Sequence, residues 1–532
     1  MRGVILVLSG SFALGFWSKV FAESFGCPYF SPNPMSVKSF AKTYGGTSWD
    51  EVSSVQQTSD GGYILAGYTD SFGAGSYDIF LIKTDKNGNI VWTKTYGGTG
   101  GEFSYSVRQT SDGGYIVAGG TNSFGAGGLD IFLIKTDADG NIIWAKTYRG
   151  TGDEWARSVH QTSDGGYILA GATNSFGAGS YDFLLIKTDA NGNIIWTKTY
   201  GGTNYEDAYF VQQTSDGGYI VAGATNSFGA GGHDIFLIKT DANGNIIWAK
   251  TYGGTNYDYA YSVQQTSDGG YIVAGLTTSF GASGYDIFLI KTDGNGDIIW
   301  TKTYRGIYED GAYYVQQASD GGYILTGYTS SFGAGGYDAF LIKTDANGNI
   351  IWAKTYGGTG DEQAYSVQQT FDGGYIMAGR TRSFGAGSWD AFLVKTDVDG
   401  NIGSCSIIQN ASPTETTPSP TVTTPSPSVS SPNPTINSPS PTVTSPTLTV
   451  YEPCPLSISE SCKPVSGLIM PYKGGIKITK SGEFEVRVYN VSGVIVKSIR
   501  GKNDVKIELS RGVYFVEVVS GGKVLREKVV IR

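Results

Sequence analysis

The triplet Lys-Thr-Tyr begins at Lys42, Lys94, Lys146, Lys198, Lys250, Lys302 and Lys354, a step of 52 residues from 42 to 94 and onward, without one insertion or deletion. Self-similarity at this period confines a chain to solenoids, propellers or linear arrays. The copy Glu206–Tyr252 shows which. Ala208–Gln213 is a short run closed by the turn residues Thr214-Ser215-Asp216-Gly217-Gly218. Tyr219–Gly223 is fully apolar, and a glycine-rich loop at 226–232 leads to Asp234–Lys239. Asp241–Asn245 then turns the chain into Ile246–Tyr252. β-branched and aromatic residues fill the runs, Gly, Asp and Asn punctuate them, and no window has a helical period. Four short antiparallel strands per unit make the blade of a β-propeller. Runs that are apolar without alternation suit blades packed on both faces.

The fold class expected is therefore all-β, with a closed seven-bladed β-propeller over residues 38–405. The seventh copy lacks its last strand after Asn401-Ile402, and Phe40-Ala41-Lys42-Thr43-Tyr44 supplies it from the other end. Phe40 stands where other copies carry Trp92, Trp144, Trp196, Trp248, Trp300 and Trp352. Closing the ring in this way leaves no blade with an exposed apolar face. The stretches Ala260–Gly275, Tyr285–Asp293 and Ile298–Trp300 resemble the SBBP β-propeller repeat family of extracellular bacterial and archaeal proteins. The resemblance implies the fold and is nearly silent on function.

Three further segments flank the repeats. Residues 1–22 have the anatomy of a signal peptide: Met1-Arg2, an apolar stretch from Gly3 to Trp17, and small residues at Val20 and Ala22. A lipoprotein signal ending at Cys27 is the alternative. No later stretch reaches 18 apolar residues, so no transmembrane anchor is expected. Residues 412–449 hold ten of the 17 prolines among Ser and Thr, with Glu415 as the one charge. That composition predicts a Pro/Ser/Thr-rich disordered linker, extended as a spacer. Residues 455–532 return to alternating runs and predict a small C-terminal β-sandwich. Within them Val488-Tyr489-Asn490 with Gly493, Gly512–Val516 and Lys528–Ile531 resemble the type A sorting domain of type IX secretion. The resemblance implies secretion and attachment machinery as a partner. Four cysteines allow three pairings. Cys27 and Cys405 flank the ring's seam and are expected to pair, leaving Cys454 for Cys462.

The charge balance, 38 basic against 47 acidic residues, argues against nucleic acid as a partner. Four acidic positions recur in all seven units, 28 of the 47, so most of the imbalance is architectural. Asp85, Asn87 and Asn89 form the pattern Asp-x-Asn-Gly-Asn, which serves a turn; calcium is the alternative, and it lacks a distal bidentate carboxylate. No other metal or cofactor is expected. The two histidines sit at non-equivalent places, and His160 reads as a plain replacement of a glutamine. With no nucleophile elbow, metal cluster or phosphate loop, no catalytic residue is assigned and no enzyme is expected. Function should lie where the copies differ. Trp49, Trp155, Tyr205, Tyr257 and Tyr308 lie just before or at the first strand, and Tyr77, His233 and Trp389 precede the third. A further variable position reads Ser53, Tyr105, Arg157, Tyr209, Tyr261, Tyr313 and Tyr365. Such aromatics suit glycan or protein ligands, or else packing between blades. The expectation is an exported, cell-surface binding or adhesion protein. A secreted carbohydrate-active enzyme and a structural surface-layer component are the alternatives.

Overall fold

The computed structural model describes residues 39–454, apart from 126, 282–283, 404 and 431–433, together with 469–472, 475–478, 483–489, 495–502, 505–509, 512–520 and 523–531. The expected signal peptide, Cys27 and Cys462 lie outside these residues. The chain divides into two compact units, one of them Val37–Leu456.

That unit is a propeller-like array of seven five-stranded antiparallel sheets. Sheet one runs Asp50–Gln57, Tyr63–Thr69, Asp78–Thr84, Ile90–Gly97, and its fifth strand is Thr442–Thr444. Asp78–Thr84 is buried at every residue, as a strand covered on both faces must be. Sheet seven takes Glu362–Gln369, Tyr375–Thr381 and Asp390–Thr396, and Phe40–Gly45 completes it as expected, with Phe40 opposite Lys395.

The repeated triplet joins neighbouring sheets. Tyr96, fully buried, donates its phenol to the Gly140 carbonyl of the next sheet at 2.6 Å. Trp92 donates its indole N–H to Ala138 there. Tyr44 of sheet seven makes the same bond to Gly88 of sheet one, so last meets first as the others meet. Gly88 is held at φ +72°, and a Cβ on it would stand 2.6 Å from the Phe40 ring. Turn geometry and close approach therefore both demand glycine.

The recurring acids also have fixed tasks. Asp60 bonds Lys83 at 2.8 Å and the Gly62 N–H, pinning the first hairpin. Asp85 accepts the N–H groups of Asn87 and Asn89 and the Asn89 side chain, so its oxygens serve the turn. Glu102, fully buried, takes the Thr121 hydroxyl and the Gly98 N–H. Asp78 takes the Ala74 N–H of the loop before it.

The proline-rich segment corrects the sequence reading. It is not a free spacer but supplies outer strands to the sheets. Ile408–Asn410, Thr414–Thr416, Thr421–Thr423, Ser428–Ser430, Thr435–Asn437, Thr442–Thr444 and Thr449–Tyr451 pair in turn with the fourth strands of sheets six, five, four, three, two, one and seven. The middle threonine of the triplet receives this belt. Thr95 meets Thr444, and Thr251 meets Thr423, each at 2.6 Å between hydroxyls. Three-residue strands separated by prolines cover the sheets' outer edges, which are hazardous when left open. Cys405, just before the belt, is bonded to Cys454, just after it. The expected Cys27–Cys405 pair is therefore replaced. The belt carries Cys454 past all seven sheets and back beside Cys405.

In the C-terminal region the described residues form a three-stranded and a four-stranded sheet. Ile476, Ile507, Val486, Val488 and Val516 pack into one core between them, which is a sandwich arrangement.

Candidate functional site

One irregularity recurs in the first strand of every sheet. Pairing slips between Val52 and Ser54 of sheet one, and at the equivalent place in the other six. The bulge leaves one residue unpaired, and bulges re-aim side chains. Glycine makes room for it: a Cβ on Gly67, opposite Val52, would stand 1.8 Å from the Glu51 carbonyl oxygen. The unpaired residues are Ser53, Tyr105, Arg157, Tyr209, Tyr261, Tyr313 and Tyr365, all half-buried.

These side chains touch in succession. Ring centroids lie 4.7 Å apart for Tyr209 and Tyr261, 5.2 Å for Tyr261 and Tyr313, and 5.3 Å for Tyr313 and Tyr365. Arg157 lies over Tyr105 at 5.4 Å and over Tyr209 at 4.9 Å. Ser53 leaves the series open on one side. Burial raises the phenol pKa of Tyr209 and Tyr365 well above the ordinary value, so both remain O–H donors.

Two arginines anchor the patch. Arg157 grips the buried Asp207 through Nε and Nη2, both at 3.1 Å. Burial works against its charge, but Asp207 outweighs that and holds it firmly protonated. Trp155 donates to the same carboxylate at 3.1 Å. Arg380 bonds Glu51 and Gln363, both at 2.8 Å, and lies 4.2 Å over Trp389 and 5.1 Å over Trp49. The donors Trp389 Nε1 and Arg380 Nε are buried with no acceptor among the described residues, a state that a buried donor rarely keeps.

Most of the residues singled out from sequence join this surface. Trp49 pairs with Trp389 at 5.6 Å. Trp155, Tyr181, Tyr205 and His233 follow one another at 5.0, 5.5 and 5.6 Å. His233 continues to Tyr257 at 5.8 Å and to Tyr259 at 5.2 Å. Burial lowers the His233 pKa, with Glu206 opposing, so the ring is neutral near pH 7. Tyr77 sits with Tyr68 and Phe103. Tyr308, 59% exposed, stands apart, with no aromatic neighbour among the described residues. Sequence reasoning noticed the bulge position without ranking it. Its signal was five tyrosines and an arginine in one register. The arginine at 380 gave no repeat signal and was missed.

Comparison with known proteins places the chain in a class. Residues 470–532 match the family described as the secretion system C-terminal sorting domain. With that domain behind an all-β, propeller-like body, the protein is a secreted, cell-surface protein that engages the type IX secretion machinery. A stretch of 223 residues, 36% of the chain, is 28% identical to Regulatory protein FlaEY of Caulobacter vibrioides and spans 22% of that protein. Among solved structures, a puromycin hydrolase mutant complexed with PGG aligns over 68% of this chain and 54% of its own, at 12% identity and a TM-score of 0.42. A structure of the eukaryotic initiation factor aligns over 68% of this chain and all of its own, at 8% identity and a TM-score of 0.31. No helix among the described residues is long and apolar enough to cross a membrane.

Proposed function

We propose that the protein is a non-enzymatic surface receptor or adhesin: an SBBP-type propeller, closed with seven blades, that binds glycans or protein surfaces through the aromatic mouth around its bulge residues. One observation carries the reading. The unique aromatic and arginine residues gather at one end of the sheets, half-buried and in mutual contact, whereas at the other end the same Lys–Asp pair recurs in every sheet. Tyrosine and tryptophan rings offer apolar faces to sugar rings and O–H or N–H groups to their hydroxyls. The sorting domain puts this mouth outside the cell, where such ligands are met.

The mature protein should be applied to a glycan array and to a panel of surface proteins, beside a Tyr261→Ala/Tyr313→Ala variant. Ligands retained by the parent and lost by the variant, at an unchanged melting temperature, support the reading. Ligands that bind both forms equally would remove the mouth from it.

A further inference from the structure

Three residues beyond the bulge, the first strands of all seven sheets line a cavity of about 160 Å³. The seven equivalent residues facing it are Gln56, Arg108, His160, Gln212, Gln264, Gln316 and Gln368. In five sheets the glutamine Oε1 accepts a backbone N–H from a neighbouring first strand. Gln56 accepts from Gln109, Gln264 from Gln317, Gln316 from Gln369 and Gln368 from Gln57, each at 2.6 Å, and Gln212 from Gln265 at 2.8 Å. A backbone N–H can only donate, so it fixes which side of each amide faces it. The five Nε2 groups are left over, and no acceptor meets them among the described residues.

Sheets two and three break the pattern. Arg108 and His160 have no carbonyl oxygen, so Gln161 and Gln213 lose that bond. A guanidinium is gained in exchange. Arg108 donates to the Val107 carbonyl at 3.0 Å and to the Tyr314 hydroxyl at 3.3 Å, and stands 3.5 Å from His160 Nε2. No carboxylate lines the cavity, and Arg108 is the one charged residue among those that do. Phe210 and Tyr314 replace the serine of the other five sheets and meet at 5.7 Å, narrowing the space.

We propose that this cavity is a binding site for a small tetrahedral oxyanion, held by Arg108, by His160 and by the ring of glutamine amide donors. A site with a guanidinium, several N–H donors and no carboxylate among its lining residues selects for negative charge. The aromatic pair limits the guest to a small one. His160 is held neutral, first by burial and then by Arg108. An anion in contact with both would counter the charge of Arg108 and favour a proton on the ring, so affinity should rise as pH falls.

The test is calorimetric titration of the full-length protein with inorganic phosphate and with sulfate, at about pH 6 and about pH 8. Arg108→Gln and His160→Gln install the residue that five other sheets carry, and each restores a lost backbone bond, so both variants should fold. Expected are saturable binding to the parent, at least a tenfold loss in Arg108→Gln, and a flattened pH dependence in His160→Gln. Absence of saturable binding to the parent, or undiminished affinity in a folded Arg108→Gln variant, overturns the proposal.

Discussion

At the hairpin end of every sheet the same bonds recur: Lys83 to Asp60, Lys135 to Asp112, Lys187 to Asp164, and so through to Lys395 and Asp372. At the bulge end the backbone irregularity recurs, but the residue on it is serine, arginine or tyrosine. The Tyr-to-Gly bonds that join one sheet to the next likewise recur at all seven seams, because each copy must fit both neighbours. The re-aimed bulge side chain escapes that requirement and is free to differ. Repetition thus marks interfaces, and its failure marks candidate chemistry.

The two ends should also titrate in opposite senses, which gives the largest expected effect. Burial opposes ionisation of Asp112, Asp164, Asp216 and Asp268, but bonds from Thr, Lys and Gly bring them to about 2. A carboxylate held below its ordinary 3.8 contributes stability above that value and loses it as pH falls through about 2. At the bulge end burial raises Asp234 and Asp338 to about 6, with Asp258 and Glu362 adding to it. Their protonated form is favoured on folding, so that contribution holds below 3.8 and is lost as pH rises through about 6. Solvent screening holds each half-exposed hairpin carboxylate to about 1 kcal/mol or less, whereas the buried Asp234 and Asp338 are each worth on the order of 2–3 kcal/mol. Melting temperature should therefore peak at about pH 4 and fall toward pH 6. Asp234→Asn with Asp338→Asn should flatten the upper limb alone; an unaltered upper limb would show that these groups do not set it.

The belt extends the constant set to the rim. Cys405→Ser opens a loop of 49 residues, which the chain-entropy relation values at about 4 kcal/mol. The expected outcome is new proteolytic cleavage confined to residues 408–451, with the four inner strands of each sheet resisting longer. Peptide mapping under non-reducing conditions should recover Cys405 joined to Cys454. At the hairpin end, Tyr200→Phe strips the Gly244 carbonyl of its donor inside the sheet interface. Urea unfolding should register a loss of about 1–2 kcal/mol.

Much of this is legible in the sequence. A strict 52-residue period with turn residues at fixed offsets exposes four strands and the strand borrowed from Phe40–Tyr44, since hairpin chemistry is local. The belt was illegible for a physical reason. Thr-Val-Thr is too short to alternate, and proline composition is the signature of an extended solvated chain. The overlooked clue was its own period, hydroxyl residues at 414, 421, 428, 435, 442 and 449, seven apart. His160 was dismissed because a lone histidine carries no pattern. Only the convergence of seven strands shows that it faces Arg108. Arg380 likewise acquires meaning from Glu51 and Trp389, which lie far from it in sequence.

The smallest expected effect on stability tests the variable end most sharply. Ser53 is the one small residue in the bulge series, and it leaves the aromatic series open beside Tyr365 and Tyr105. Ser53→Tyr installs the residue that five other sheets already hold on the same bulge. The backbone there accommodates it, and half-exposed substitutions of this kind shift stability by about 0.5 kcal/mol or less. If the open side admits the ligand, binding should weaken severalfold while the melting curve stays put. If the series acts as a flat platform, a sixth tyrosine should strengthen binding instead. Unchanged affinity would mean that ligands engage the outer aromatics, such as Trp155, Tyr205 and Tyr257, and leave the bulge series to hold the sheets together.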